Sequence, residues 1–132
     1  TGRLKLLYRQ GRLLATLRPN DGLIALSTYG AELLLRRGGF PNIVTIDSDV
    51  AEYVRRGRNV FARHVKHAGS TIRPEDEVVV VDQNRRLIAV GRAALSAEEM
   101  VQFKRGVAVK VRRGASENTS DSGAGKQGPV TK

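Results

Sequence analysis

Val78, Val79, Val80 and Val81 stand in unbroken succession, and no other stretch restricts the fold as much. A strand with one wet face alternates apolar and polar side chains, so an unbroken β-branched run marks a strand covered on both faces. The chain must therefore build a sheet in which this strand is central. Ile72-Arg73-Pro74-Glu75-Asp76-Glu77 reads as the turn leading into it. Asp82-Gln83-Asn84-Arg85-Arg86 returns the chain, so that Leu87 to Val90 pairs back. Gly91 interrupts the returning strand, which points to a bulge or a close backbone approach. Ser96-Ala97-Glu98-Glu99 is a capping box opening a helix through Met100, Val101 and Phe103, which Gly106 stops. Val107 to Val111 forms a last strand.

Upstream, Ile43 to Ile46 is a strand, and Asp47, Ser48 and Asp49 offer capping oxygens to a helix whose apolar stripe is Val50, Tyr53 and Val54. Arg55 and Arg56 close that helix and Gly57 ends it. Val60 to Val65 then predicts one more strand. At the front, Leu4 to Tyr8 and Leu13 to Leu17 flank a Gln10-Gly11 hairpin turn. Arg18-Pro19-Asn20-Asp21-Gly22 is dense in turn residues, and Leu23 to Leu26 is a third strand. Ser27 or Thr28 caps a helix with Ala31, Leu33, Leu34 and Leu35 on its buried side. Arg36-Arg37 suit its carbonyl end, and Gly38-Gly39 stop it before Phe40-Pro41. The predicted class is α+β, with a small β-β-β-α unit in front.

At 132 residues the chain makes one domain, or two small ones sharing a core. It has no cysteine, which excludes disulfides, thiol catalysis and thiolate zinc sites and fits a reducing, cytoplasmic setting. No apolar run nears the roughly 20 residues that span a bilayer, so no membrane partner is expected. Thr1-Gly2-Arg3 is not a secretory opening, and the missing initiator fits either trimming or a piece of something longer. Lys and Arg total 23 against 13 Asp and Glu, a net charge of +10. The two lysines beyond residue 113 are matched by Glu117 and Asp121, so the whole excess sits on residues 1–113. A basic body with a neutral, Gly/Ser-rich tail, expected to be disordered, is the electrostatic signature of a nucleic-acid binder. Arginine outnumbers lysine 17 to 6, which favours bidentate phosphate recognition.

No catalytic or metal constellation emerges, and no cofactor is implied. His64 and His67 lack acidic or thiol neighbours and read as surface histidines. Glu99 belongs to the capping box, Glu98 to solvent, and Glu75-Asp76-Glu77 to turn chemistry and charge balance. Gly38-Gly39 lacks the Lys-Ser or Lys-Thr of a phosphate-binding loop. The basic clusters remain: Arg55, Arg56, Arg58, Arg63 and Lys66, then Lys110, Arg112 and Arg113. Each alone reads as a solvated cation; together they read as a phosphate-facing surface. The aromatics Tyr8, Tyr29, Tyr53, Phe40, Phe61 and Phe103 fall mostly at core-like spacings. That predicts shape and phosphate reading of a folded RNA rather than a base-stacking platform.

Arg56-Gly57-Arg58-Asn59-Val60-Phe61-Ala62, Ile72 to Val81, Leu87-Ile88-Ala89-Val90-Gly91-Arg92-Ala93 and Gly106-Val107-Ala108-Val109-Lys110-Val111 together resemble the PUA domain, a small RNA-binding pseudo-barrel with two helices. Thr1-Gly2-Arg3, Leu14 to Gly22 and Tyr29-Gly30-Ala31 are similar to the small domain that precedes PUA in archaeal tRNA-guanine transglycosylases. That family exchanges a guanine of tRNA for a deazaguanine on the way to archaeosine, with its catalytic barrel, aspartate nucleophile and zinc site upstream of this region. The resemblance implies a small domain over 1–41, a PUA domain over 42–113 and a tail over 114–132. It implies that this chain is not itself catalytic, that tRNA or another structured RNA is its partner, and that a catalytic transglycosylase domain or subunit acts with it. A stand-alone protein that binds other proteins or ribosomal RNA is the alternative. The implied RNA surface joins Arg55, Arg56, Arg58, Asn59, Arg63, His64 and Lys66 to Lys110, Arg112 and Arg113. Many PUA domains carry Pro-Gly where this chain has Arg63-His64, so a basic side-chain contact would replace close backbone approach there.

Overall fold

A computed structural model describes residues 5–18 and 23–116. The Leu4 strand start, the Thr1-Gly2-Arg3 opening, the Pro19 to Gly22 turn and the tail beyond Ser116 lie outside the described residues. Strands β1 (Lys5–Arg9), β2 (Arg12–Arg18) and β3 (Leu23–Leu26) form an antiparallel sheet in that order. Gln10 and Gly11 both take positive φ, 51° and 79°, the backbone that a tight hairpin between right-twisted strands requires. Helix α1 (Thr28–Arg37) follows; the Ser27 hydroxyl accepts from the Gly30 amide at 2.9 Å, and Gly38 ends the helix at φ 80°.

The second sheet has six strands: β4 (Ile43–Ile46), β5 (Val60–Phe61), β6 (Val65–Ala68), β7 (Glu77–Val81), β8 (Leu87–Ala93) and β9 (Val107–Gly114), in the order β5-β9-β8-β7-β4-β6. The valine strand β7 is internal, parallel to β4 and antiparallel to β8. The Asp47 carboxylate caps a 3-10 turn over Ser48–Val50 that leads into α2 (Ala51–Arg55), and the Ser96–Glu99 capping box opens α3 (Ala97–Gln102).

One expectation is corrected here. Val60 to Val65 is not a single strand, because a 3-10 turn over Ala62–His64 divides β5 from β6. The break is what nearly closes the barrel. β5 hydrogen-bonds to β9 at one edge of the sheet, and after the three residues of the turn the chain hydrogen-bonds to β4 at the other edge. The amides of Ala62 and Asp47 pin the crossing, donating to Gly106 O and His64 O at 2.9 Å each. A continuous strand would leave both edges open to pairing with another chain.

The four valines divide between two cores. Val78 and Val80 face the barrel interior with Ile46, Val60, Ile88 and Met100. Val79 and Val81 face outward, and with Val90 they pack under Ala15, Leu26 and Ala31 of the front unit. All four are 0% exposed, each worth about 1.5–3 kcal/mol of burial. Gly91 shows both features expected of it: β8 and β9 slip register between Val90 and Gly91, and a Cβ at Gly91 would lie 2.2 Å from Lys110 O.

Candidate nucleic-acid interface

The basic segment expected from the sequence is split by the barrel closure. Arg55, Arg56 and Arg58 cluster where α2 ends, with Gly57 at φ 106° turning the chain between them. Glu52 lies between two of them, 3.8 Å from Arg55 and 3.2 Å from Arg56; these exposed pairs are weak, and a phosphate competes with them readily. Arg58 is exposed and faces no carboxylate among the described residues. The Asn59 side-chain oxygen accepts from the Val111 amide at 2.9 Å, so this residue ties the segment to β9. Val60 pairs with Val109, which sets Lys110, exposed, beside the same segment.

The end of β5 and the turn after it bring Phe61, Arg63 and His64 together as a small cluster. Phe61 is 40% exposed, Arg63 lies 5.6 Å over its ring, and His64 meets it edge-on at 6.3 Å. The Arg63 Nε also donates to His64 Nε2 at 3.4 Å. Lys66 follows this group two residues on. It sits on β6 at the opposite edge strand, 3.9 Å from Asp47, beside a hollow that Ser96, Ala97 and Glu98 of the α3 start also line. The β5–β9 pairing therefore sets Lys110 beside the α2 end, and the Ala62–His64 turn carries the chain on to Lys66 of β6.

Arg112 has another task. Its guanidinium donates to Glu77 Oε1 at 2.9 Å and to the Leu26 carbonyl at 2.6 Å, and also pairs with Glu77 Oε2. Glu77 is buried and accepts from the Leu26 amide at 2.7 Å. The pair thus bolts β7 and β9 to β3 of the front unit, and Glu77 serves this bolt rather than turn chemistry. Arg113, half-buried, stands opposite Val90.

Sequence reasoning missed two features. Arg92 stands directly opposite Lys110 across β8 and β9 and opposite Glu77 across β7 and β8, so it is flanked by one like and one opposite charge. Only the strand pairing reveals this. The aromatics are the second: Tyr8, Tyr53, Phe61 and Phe103 are all exposed, contrary to the core-like spacing inferred for most of them. Short strands and one-turn helices leave no periodicity long enough to separate inside from outside.

Comparison with known families matches residues 42–115 to the PUA domain, more than half of the chain. The chain belongs to the PUA family. Residues 1–41, ahead of the PUA region, match the patch-forming domain C2 of tRNA-guanine transglycosylase. Among curated relatives, the tRNA-guanine(15) transglycosylase of Thermococcus kodakarensis is 45% identical over 115 residues, covering 86% of this chain and 20% of the relative. The chain thus spans about a fifth of the length of such relatives. Among solved structures, a PUA domain protein from Thermoplasma acidophilum superposes with a TM-score of 0.68 at 28% identity, covering 84% of this chain and 70% of that one. A hypothetical protein from Pyrococcus horikoshii gives 0.72 at 25% identity, covering 85% and 68%. The PUA barrel nearly closed by the Ala62–His64 turn agrees with the α+β class read from the sequence. No helix among the described residues is long and apolar enough to cross a membrane.

Proposed function

We propose that this chain is a tRNA-binding module, gripping a folded stem through its phosphates while base exchange is performed by a transglycosylase catalytic part carried elsewhere. The observation that carries this reading is the cluster of Arg55, Arg56 and Arg58 at the end of α2, with exposed Lys110 of β9 set beside the same segment by the β5–β9 pairing and exposed Arg63 in the turn that follows β5. The exposed Phe61 ring between Arg63 and His64 adds a surface on which the end of a helical stack can rest. The same Arg63-His64 pair supplies basic side chains where many PUA domains have Pro-Gly. No residue of this chain is assigned a catalytic role, and the localisation this reading fits is cytoplasmic.

The test is salt dependence. With about five phosphates contacted, log K should fall against log salt with a slope of roughly −4. Arg58→Ala combined with Arg63→Ala should weaken binding of a tRNA transcript by about tenfold or more and flatten the slope by about 2, with the thermal midpoint unchanged. A flat salt response of the unaltered chain sinks the reading.

One observation favours a protein-docking role beside RNA binding. β1 is exposed along its whole length, with Leu6 and Tyr8 52% and 57% exposed. For a chain a fifth as long as its relatives, the catalytic transglycosylase portion is the natural occupant of that strand. Leu6→Glu should abolish co-elution with that portion and leave tRNA binding intact; co-elution that survives the change assigns β1 no such role.

A further inference from the structure

A further group of arginines, continuous with the basic segment at Arg55, lines the seam between the front unit and the barrel. A cleft of about 700 Å³ opens there. Arg12 and Arg36 line it from the front unit, Arg85 and Arg86 from the turn between β7 and β8, and Arg55 from the end of α2; Glu32 is the lone carboxylate in the lining. Glu32 pairs with Arg36 at 3.8 Å. From outside the lining, Asp82 reaches Arg86 and Glu52 reaches Arg55, each at 3.8 Å. Arg85 faces no carboxylate among the described residues. The Arg12 guanidinium carbon lies over the Tyr29 ring, 3.9 Å from its centroid, a contact that holds the group in place while leaving its charge available.

The backbone of Arg85 makes the same point independently. Its φ is +63°, the left-handed region in which an arginine is strained and a glycine or asparagine is not. The turn does not need arginine to form. Asp82 Oδ1 accepts from the amides of Asn84 and Arg86 at 2.9 and 3.0 Å, and the Arg85 amide donates to Asp82 O at 3.0 Å. The local structure is set by Asp82 and by main chain, which leaves the Arg85 side chain without a role in forming the turn.

We infer that this seam cleft is a second phosphate-binding site, taking the sugar–phosphate backbone of another segment of the RNA held by the barrel. The inference rests on the RNA-binding reading above and extends it. An isolated anion would need two or three donors; five arginines drawn from four separate elements match several phosphates in succession. Arg55 lines the cleft and also begins the Arg55, Arg56, Arg58 group, so a backbone lying on that group enters the cleft without a gap. Recognition at the seam requires both units at once, since neither brings more than three of the arginines.

Arg85→Gly separates the roles, because it removes the cation and relieves the strained backbone. Titrating a tRNA transcript into the full chain, Arg85→Gly and Arg12→Ala should each weaken binding about fivefold and lower the salt slope by about 1. The thermal midpoint of Arg85→Gly should be unchanged or raised. If both variants bind like the unaltered chain while Arg58→Ala with Arg63→Ala loses affinity, the cleft is no RNA site and the RNA-binding reading stands. If the unaltered chain binds no RNA at any salt, that reading falls and takes the cleft with it.

Discussion

Arg112→Ala should unfold this protein far more readily while leaving the RNA affinity of the folded fraction within about twofold. The guanidinium is the partner of a buried carboxylate, and removing it strands Glu77 without a counter-charge together with the Leu26 carbonyl. Breaking a fully buried pair from one side destabilises by about 3–5 kcal/mol; the Arg112 side chain is 35% exposed, which screens the pair and brings the expected loss to about 2–3 kcal/mol. Urea denaturation reads this directly, with the midpoint shifted and the slope unchanged. Replacing both members, Glu77→Leu with Arg112→Met, should recover much of the loss, since well-packed apolar residues often do as well as a buried pair. Recovery stays incomplete, because the Leu26 amide and carbonyl each lose a partner. Normal stability with lost RNA affinity in Arg112→Ala would place this arginine on the RNA instead.

Gly91→Ala should be comparably damaging, through shape rather than charge. A methyl at this position would lie 2.2 Å from the Lys110 carbonyl oxygen and 2.9 Å from Val111 Cα. Both are backbone atoms of β9 and cannot rotate away, so the β8–β9 pairing itself must part. Overpacking a well-filled interior typically costs about 1–3 kcal/mol, and a backbone-on-backbone clash belongs at the top of that range. A loss of about 3 kcal/mol lowers the melting midpoint of a domain this size by about 10 °C. A midpoint within a few degrees of the unaltered chain would mean that the register slip at Val90 already leaves room.

The central strand, the caps and the glycine stops after α1 and α2 were legible because each is a local device; Gly106 was not such a stop, since α3 already ends at Gln102, where Phe103 turns extended. Four valines in a row, a Ser-x-x-Glu box and Gly57 after two arginines carry their meaning within a few residues. The Arg55, Arg56, Arg58 group was legible for the same reason, being one turn of chain. What escaped was set by partners far away. Nothing near Ala62 announces a break, since the turn answers to the separation between β9 and β4. Arg112 looks like its neighbours Lys110 and Arg113 until Glu77, 35 residues earlier, is brought beside it. The seam arginines are scattered from Arg12 to Arg86 and form no run. Phe61 and Tyr53 were misjudged because their elements are too short for a pattern to show which side faces water.

The division of β7 between two cores bears on how such a chain can be inherited. Val79, Val81 and Val90 form a greasy outer wall on the barrel, and the front unit is its only cover among the described residues. A gene that kept residues 42–116 and lost those before them would encode a barrel with that wall bare, prone to self-association until those three positions turned polar. Conversely, the front unit has almost no interior of its own once Val79 and Val81 are withdrawn. The two pieces are therefore poor candidates for separate shuffling, and a lineage that duplicates or transplants one should carry the other along.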